Sequence, residues 1–299
     1  MIRTRFAFIA LFALAVVAPA TAATLGDWAP AQKIDEITGN STELNTASLD
    51  GCPILSPDGR DLYMASNRPG GHGGLDIWVA HRSDTDEPFG APENLPEPIN
   101  SAANDFCPTP LHGNRLLFIS SRVTGESCGM GDIYVARDNP RHGWSQPRHL
   151  ACAPDGPNSG LDEQGPSLVE IDGSEQLFFS RSSGSVPGDI FVSHDFGPAT
   201  PVSDLNTADN EIQPNVRKDG REVVFSSTHA YPGAKGGQDI YVATRESTDD
   251  PWSAPMNLGD AVNTSAGESR PSLSWDAHTL LFGRAPGSEG SSDIYISTR

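Results

Sequence analysis

The chain has 299 residues and a formal net charge of −19, with 39 acidic residues against 20 basic ones. Such an excess of negative charge disfavours binding to nucleic acids and to anionic membrane surfaces. Thirty Gly, 25 Pro and no long apolar stretch with a 3.6-residue period exclude a mainly helical protein and predict short strands joined by many turns.

The first 22 residues have the pattern of a secretory signal peptide. Arg3 and Arg5 precede an uncharged apolar run, which ends in the small residues A-T-A before position 23. A membrane anchor is the alternative, and the shortness of the apolar run disfavours it. We therefore expect a Sec-type signal, a periplasmic or secreted protein without membrane insertion after cleavage, and a single monomeric domain at 23–299.

A nine-residue motif, N-[ST]-x-x-x-[DE]-x-x-P, occurs five times at intervals of 48 to 58 residues. A recurrence of this length indicates a repeat architecture. Its asparagines are Asn45, Asn100, Asn158, Asn206 and Asn263. Its acidic residues are Asp50, Asp105, Glu163, Glu211 and Glu268. Because Asn, Ser and Thr side chains bond to nearby backbone, we interpret the asparagines as structural turn residues.

Each repeat contains the signals of four short strands. The motif proline opens an apolar strand, which ends at a turn that is Asp-Gly in several repeats, and a second apolar strand leads to a Gly-rich loop. A third strand follows with the pattern D-I-aromatic, and then a short fourth strand. The aspartates that begin the third strands are Asp76, Asp132, Asp189, Asp239 and Asp293. Four antiparallel strands per repeat are typical of a β-propeller blade.

The two ends of the chain predict how the propeller closes. The last repeat stops at its third strand, "DIYISTR", whereas "WAPAQKI", from Trp28, fits the fourth-strand pattern and has no repeat before it. We therefore predict an all-β, five-bladed propeller in which the N-terminal strand completes the last blade and hides two sheet edges. An open solenoid is the alternative, but it would have capping repeats at its ends.

The strand order also predicts two faces. The Asn motifs and Gly-rich loops lie on one face, here the Asn-motif face. The turns between the first and second strands and those between the third and fourth strands lie on the other, here the Asp-Gly face.

The string "LSPDGRDLYMASNRPGGHGGLDIWVA" in the first repeat resembles the TolB-type, WD-like propeller repeat of exported bacterial proteins. The resemblance extends over essentially the whole chain after the signal peptide. It implies a periplasmic, non-enzymatic role in binding or scaffolding. We accordingly expect an envelope protein, a peptide or a cell-envelope glycan as the partner, and no enzymatic activity.

The five acidic residues of the motif precede the innermost strands, so we expect them to surround one mouth of the central channel, with Arg270 beside them. Such a ring could bind Ca²⁺, which prefers oxygen ligands, or a basic side chain of a partner. The alternative is structural: each carboxylate accepts hydrogen bonds from its own turn or from the next blade. A further expectation is a structural tie between the aspartates of the third strands and Arg68, Arg122 and Arg284.

The four cysteines are Cys52, Cys107, Cys128 and Cys152, and four cysteines allow three pairings. Cys52 and Cys107 occupy the position before the motif proline on adjacent inner strands, so we predict that they pair. Cys128 and Cys152 belong to the same face and form the second predicted pair. Unpaired, buried thiols are the alternative, and the absence of C-x-x-C spacing disfavours zinc.

No catalytic motif is evident in the sequence. The eight histidines are scattered, and neither H-E-x-x-H nor G-x-S-x-G occurs. The alternative to a binding scaffold is a glycan-active hydrolase or lyase that uses carboxylates at the channel mouth. That chemistry needs carboxylates with unequal pKa values, whereas the motif ring is nearly symmetric. Apart from Ca²⁺, we expect no cofactor.

Overall fold

Strands make up nearly all the regular structure of residues 27–299, which are the residues that the computed structural model describes. The predicted signal peptide at 1–22 lies outside them. One short 3-10 helix, Ile34–Glu36, occurs in the described part of the chain. No helix within residues 27–299 is long and apolar enough to cross a membrane.

The strands form five sheets, each of which is one blade. The strand before the first blade is β1 (Gln32–Lys33). Blade 1 contains β2 (Asp50–Leu55), β3 (Asp61–Ser66), β4 (Asp76–His81) and β5 (Glu93–Asn94). Blade 2 contains β6 (Asp105–Leu111), β7 (Arg115–Ser120), β8 (Asp132–Asn139), β9 (Gly143–Trp144) and β10 (Arg148–His149). Blade 2 thus has an additional short strand, β9.

The other three blades have four strands each. Blade 3 contains β11 (Asp162–Ile171), β12 (Ser174–Ser183), β13 (Val186–His194) and β14 (Ala199–Pro201). Blade 4 contains β15 (Glu211–Val216), β16 (Glu222–Ser227), β17 (Asp239–Thr244) and β18 (Met256–Asn257). Blade 5 contains β19 (Gly267–Leu273), β20 (Thr279–Ala285) and β21 (Asp293–Thr298), together with β1. The predicted five-bladed, all-β propeller is confirmed.

The ring closes where the sequence predicted. β1 pairs antiparallel with β21, with Gln32 opposite Ile296 and Lys33 opposite Tyr295. The Ala29 N–H extends this pairing by donating to the Thr298 carbonyl at 2.8 Å. The apolar core divides into five clusters, each lying between neighbouring blades. Closure therefore also completes the core between blades 5 and 1.

Each innermost strand has a bulge at the residue before the motif proline. Strand pairing shifts register at this point in all five blades. The bulged residues have left-handed φ values of 47° to 58°: Cys52, Cys107, Gly165, Gln213 and Arg270. The motif leaves this position open, and its residue changes around the ring. The bulge is the reason that these five residues line the central channel.

The motif asparagines hold the blade connections in place. Each side chain donates to the carbonyl, and accepts from the N–H, of the isoleucine in the third strand of the preceding blade, at 2.6–3.2 Å. Asn100, for example, binds Ile77 in this way. The asparagine side chains therefore bond to the third strand as the backbone of a neighbouring strand would. This role adds to the turn role that the sequence suggested.

Candidate functional site

The central channel is too narrow to admit a sugar. Its cavity of about 30 Å³ is lined by the bulged residues of all five innermost strands and by the residues next to them. A space of this size holds a water molecule or two. The Cys52–Cys107 disulfide lies at this level, and the Arg270 side chain lies over Gly51 of the neighbouring blade. Burial lowers the pKa of Arg270, and its guanidinium makes no ion pair with another described residue.

The five motif carboxylates lie beside this channel and are fully buried. Each accepts a hydrogen bond from the Thr or Ser hydroxyl four residues earlier, at 2.6–2.9 Å. In four blades an arginine at the end of the second strand forms an ion pair with the carboxylate: Arg68, Arg122, Arg181 and Arg284. In blade 4, Ser227 takes this place and donates to Glu211 at 2.8 Å. None of the five carboxylates presents an exposed oxygen to a ligand, and Ca²⁺ binding by them stays a prediction.

Glu163 differs from the other four carboxylates. Its Oε1 accepts from Ser159 and from Arg181 Nε, but its buried Oε2 has no hydrogen-bond partner. Burial raises the pKa of Glu163 to about 7. The ring is therefore less symmetric than the sequence suggested, although the asymmetric member is as buried as the others.

The aspartates of the third strands do not pair with arginine, so the expected Asp–Arg tie is wrong. In four blades, the aspartate instead accepts N–H groups of its Gly-rich loop; Asp76, for example, accepts from His72 at 2.6 Å. Asp189 shows no such bond, and burial raises its pKa. The second strand lies between the two acids, since Ser66 is opposite both Asp50 and Asp76, yet Arg68 forms its ion pair with Asp50.

Both predicted disulfides are confirmed. Cys52 pairs with Cys107 on the adjacent bulges, and Cys128 pairs with Cys152 beside the Gly-rich loop of blade 2. The first pair is almost completely buried, whereas the second is partly exposed. One disulfide thus joins blade 1 to blade 2, and the other joins blade 2 to the segment that connects it to blade 3.

Three side chains cover the channel on the Asp-Gly face. The His112 ring lies 4.2 Å from that of Trp275, and Lys218 Nζ lies 4.4 Å from the Trp275 ring. Lys218 also donates to the Leu168 carbonyl at 3.0 Å, and burial lowers its pKa to about 8. His112 and Trp275 belong to blades 2 and 5, which are not neighbours, so their contact crosses the axis and closes this end.

An open cleft of about 350 Å³ lies beside this cover, between blades 1 and 2. Cavities of this size suit small-molecule ligands. One wall is the S-P-D-G turn of blade 1. Ser56 Oγ donates to Asp58 Oδ1 at 2.6 Å and accepts from the Asp61 N–H at 2.9 Å, while Gly59 has a φ of 73°. These bonds fix the turn, and both Asp58 and Asp61 line the cleft.

The other wall exists because β8 is longer than the third strand of blades 1, 4 and 5. The extension pairs with β9 and places Asp138 directly opposite Trp144. Both side chains are half-buried and line the cleft. Among the described residues, the Asp138 carboxylate has no hydrogen-bond or ion-pair partner. Tyr63 of β3 lies at the base of the cleft and packs, like Trp144, against the core between the two blades.

Three carboxylates of unequal character meet at Tyr63. Burial, together with the negative charges of Asp61, Asp138 and Asp58, raises the pKa of the Tyr63 hydroxyl. The Ser56 hydroxyl holds the pKa of Asp58 below its usual value. Asp61 contacts His81 Nδ1 at 2.7 Å. The cleft thus has a carboxylate bound to a hydroxyl, a carboxylate bound to a histidine and a carboxylate without a partner among the described residues.

A second cleft, of about 390 Å³, lies between blades 3 and 4. Its tryptophan is not free, because the Arg245 guanidinium lies 4.3 Å from the Trp252 ring. Asp204 accepts the Trp252 N–H at 3.2 Å, and Asp250 accepts from Ser247. The two clefts are therefore similar in size. They differ because the tryptophan and two of the aspartates of the second cleft are occupied by protein partners.

Few signals in the sequence point to the first cleft. Asp58 belongs to the S-P-D-G turn, which we interpreted only as a hairpin signal, and Asp138 and Trp144 were not identified. The polar continuation "ARDNP" after the D-I-aromatic pattern was the one sign of a longer strand in blade 2.

Comparisons with known proteins agree with the fold. No protein-family model matches the chain, and no curated protein matches its sequence. The catalytic domain of a GH62 α-L-arabinofuranosidase from Coprinopsis cinerea is similar in structure, at 11 % identity and a TM-score of 0.58, over 91 % of this chain and 96 % of that one. A GH43 endo-arabinanase from Bacillus licheniformis is 16 % identical, with a TM-score of 0.52, over 84 % and 94 %. A Lactobacillus brevis α-L-arabinofuranosidase is 11 % identical, with a TM-score of 0.55, over 83 % and 90 %.

These comparisons overturn two expectations from the sequence. The similar solved structures are mainly glycoside hydrolases, so the predictions of a TolB-like binding scaffold and of a non-enzymatic protein are wrong. At 11–16 % identity the similarity shows a common fold, and it identifies no residues.

Proposed function

We propose that this chain is a glycan-active hydrolase whose substrate binds in the cleft between blades 1 and 2. The observation that carries the proposal is the meeting of three unequal carboxylates at Tyr63, in an open cleft that also presents Trp144. The motif carboxylates, by contrast, are fully buried beside a channel that admits only water-sized molecules.

The three carboxylates take different roles in this proposal. Asp138, which has no protein partner, donates a proton to the oxygen of the leaving sugar. Asp58, held ionised by Ser56, accepts the proton of the attacking water. Asp61, which is bound to His81, contributes negative charge. Glycoside hydrolysis passes through a positively charged, oxocarbenium-like state, which this concentration of negative charge stabilises.

Trp144 supplies the apolar surface that a sugar ring needs. Its ring lines the cleft, and no cation of residues 27–299 lies over it, whereas Arg245 lies over Trp252. Amphipathic aromatic rings combine a large contact area with a polar edge and suit the faces of sugar rings. We propose arabinose- or xylose-containing glycans as the substrate class, because an endo-arabinanase, arabinofuranosidases and a xylosidase are among the similar structures.

The exported location remains part of the proposal. A signal peptide at 1–22 would deliver the enzyme to the periplasm or the medium, where extracellular glycans are available. We also propose that the blades follow a TolB-type repeat design, on the strength of the first-repeat sequence, without a TolB-like role.

The test is hydrolysis of arabinan- and xylan-derived oligosaccharides, with release of reducing ends as the readout. We expect activity in the wild type and a loss of about 100-fold or more in Asp138→Asn and in Asp58→Asn. Asp249→Asn, in the second cleft, is the matched control and should keep full activity. An inactive wild type on both glycan classes, or equal activity in all variants, would overturn the proposal.

A further inference from the structure

Blade 2 departs from the repeat at three positions that meet in space. Cys128 lies in its Gly-rich loop, His149 in its last strand and Cys152 in the connection to blade 3. One ligand atom of each side chain lies within 4.8 Å of those of the other two. Asp132 adjoins them, with its Oδ2 3.0 Å from His149 Nε2. The cluster is on the Asn-motif face, outside the proposed cleft and independent of the proposed hydrolysis.

The position equivalent to His149 in blade 4 shows which hydrogen bonds a purely structural residue makes there. Asn257 occupies the position of His149. Its Nδ2 donates to Asp239 at 2.9 Å, while its Oδ1 accepts from Asn263 at 2.9 Å. The amide nitrogen of Asn257 thus donates to one neighbour, and its amide oxygen accepts from the other.

His149 cannot satisfy both neighbours in the same way. A single atom, Nε2, faces the Asp132 carboxylate at 3.0 Å and the Asn158 amide nitrogen at 3.1 Å. A ring nitrogen either donates or accepts, so one of these contacts is unfavourable in either tautomer. An asparagine would serve the fold better, and the histidine therefore points to a function that an asparagine cannot provide.

We propose that reduction of the Cys128–Cys152 disulfide converts this cluster into a Zn²⁺ site. The ligands are the two thiolates, His149 Nε2 and Asp132 Oδ2. Two thiolates, an imidazole and a carboxylate are all ligands that Zn²⁺ accepts in tetrahedral sites. For zinc bonds of about 2.0 Å, two such ligand atoms stand about 3.3 Å apart, close to the observed 3.0 Å between Nε2 and Oδ2. The missing C-x-x-C spacing is replaced by residues from three separate segments.

The reaction balances with a dithiol as the reductant. The dithiol gives two electrons and two protons to the protein disulfide and leaves as its own cyclic disulfide. The two cysteine thiols then lose their protons as they bind Zn²⁺. The N–H groups of Cys128 and Gly129 already bind Asp132, at 2.8 and 3.2 Å, and hold the carboxylate in place.

The two disulfides differ in accessibility, which makes the switch selective. Cys52 and Cys107 are only 5 % and 4 % exposed, within the narrow channel. Cys128 and Cys152 are partly exposed. A small dithiol therefore reaches the blade 2 disulfide first and leaves the link between blades 1 and 2 intact.

The experiment uses Co²⁺ as a spectroscopic substitute for Zn²⁺. Purified protein is treated with limiting dithiothreitol, peptide mapping identifies the reduced pair, and Co²⁺ is titrated in without oxygen. We expect one Co²⁺ per reduced chain, with thiolate charge-transfer bands that Zn²⁺ removes, and no such bands in the oxidised chain.

Two variants separate ligation from structure. His149→Asn copies blade 4, so it should fold normally but bind Co²⁺ at least about 10-fold more weakly. Cys128→Ser/Cys152→Ser should fold and show no thiolate bands. The proposal is overturned if the reduced wild type shows no thiolate–Co²⁺ bands, whether it stays folded or unfolds. It is equally overturned if His149→Asn binds Co²⁺ as tightly as the wild type does.

Discussion

The two faces of the ring use carboxylates in opposite ways. On the Asn-motif face, the five motif acids occupy equivalent positions, are fully buried and satisfy hydrogen bonds of their own blade. On the Asp-Gly face, Asp58, Asp61 and Asp138 occupy non-equivalent positions of two blades and line an open cleft. The first arrangement is repeated five times, whereas the second belongs to one pair of blades.

This contrast separates stability from chemistry. A group that every blade needs serves what every blade does, namely joining to the next. A group found in one place is free to differ from its equivalents in pKa, partners and exposure. The prediction of ligand-binding carboxylates at the channel mouth assigned a function to residues that every blade repeats.

The largest expected effect is on the free energy of unfolding, when one aspartate on each face is replaced by asparagine. Asp105→Asn leaves the mostly buried Arg122 without its ion-pair partner, and should lower the free energy of unfolding by about 3 kcal/mol or more. Asp138→Asn removes a carboxylate without a protein partner, and should change it by less than about 0.5 kcal/mol. Urea unfolding followed by circular dichroism measures both; equal losses would erase the distinction between the faces.

An intermediate effect concerns Glu163 and pH. Its pKa is raised to about 7 in the folded chain, so the folded state binds the proton more tightly than the unfolded state does. The resulting stabilisation is complete below about pH 4.5 and is lost as the pH rises through 7. The shift corresponds to at most about 3 kcal/mol.

The matched variant is Glu163→Gln, which cannot titrate. The stability difference between wild type and variant should move in favour of the variant from pH 4.5 to pH 8, as measured by urea unfolding at several pH values. A difference that stays constant over this range would show that Glu163 titrates normally.

The smallest expected effect compares the two clefts. Trp144→Ala should raise the KM for an oligosaccharide by about 10-fold, which corresponds to about 1.4 kcal/mol of lost stacking, with little change in kcat. Trp252→Ala should leave KM unchanged, because Arg245 already covers that ring. Steady-state kinetics on both variants decides; the reverse pattern would place the substrate between blades 3 and 4.

Much of the fold could be predicted from the sequence because a repeat multiplies weak local signals. Five copies of one motif gave the number of blades, and the unpaired "WAPAQKI" gave the closing strand. The pairing of Cys52 with Cys107 followed from equivalent positions on adjacent strands. The structural alternative for the motif acids, hydrogen bonds from their own turn, agrees with the hydroxyl that each acid accepts from four residues earlier.

The cleft could not be predicted in the same way, since its residues are not equivalent in the repeat. Asp58 belongs to the turn between the first and second strands of blade 1. Asp138 and Trp144 belong to the hairpin of β8 and β9, which among the described residues occurs only in blade 2. Their approach to Tyr63 depends on how two neighbouring blades pack. The arginine partners of the motif acids were also missed. Each second strand lies between a motif acid and a third-strand aspartate, so strand pairing alone does not show which of the two carboxylates its arginine meets.

The location of the substrate is the most direct test of the proposed function. Crystals of the Asp138→Asn variant, soaked with arabino- or xylo-oligosaccharides, should show a sugar ring against Trp144 with a glycosidic oxygen near residues 58 and 138. Density for the sugar at the Asn-motif face, or in the cleft between blades 3 and 4, would contradict the proposed site.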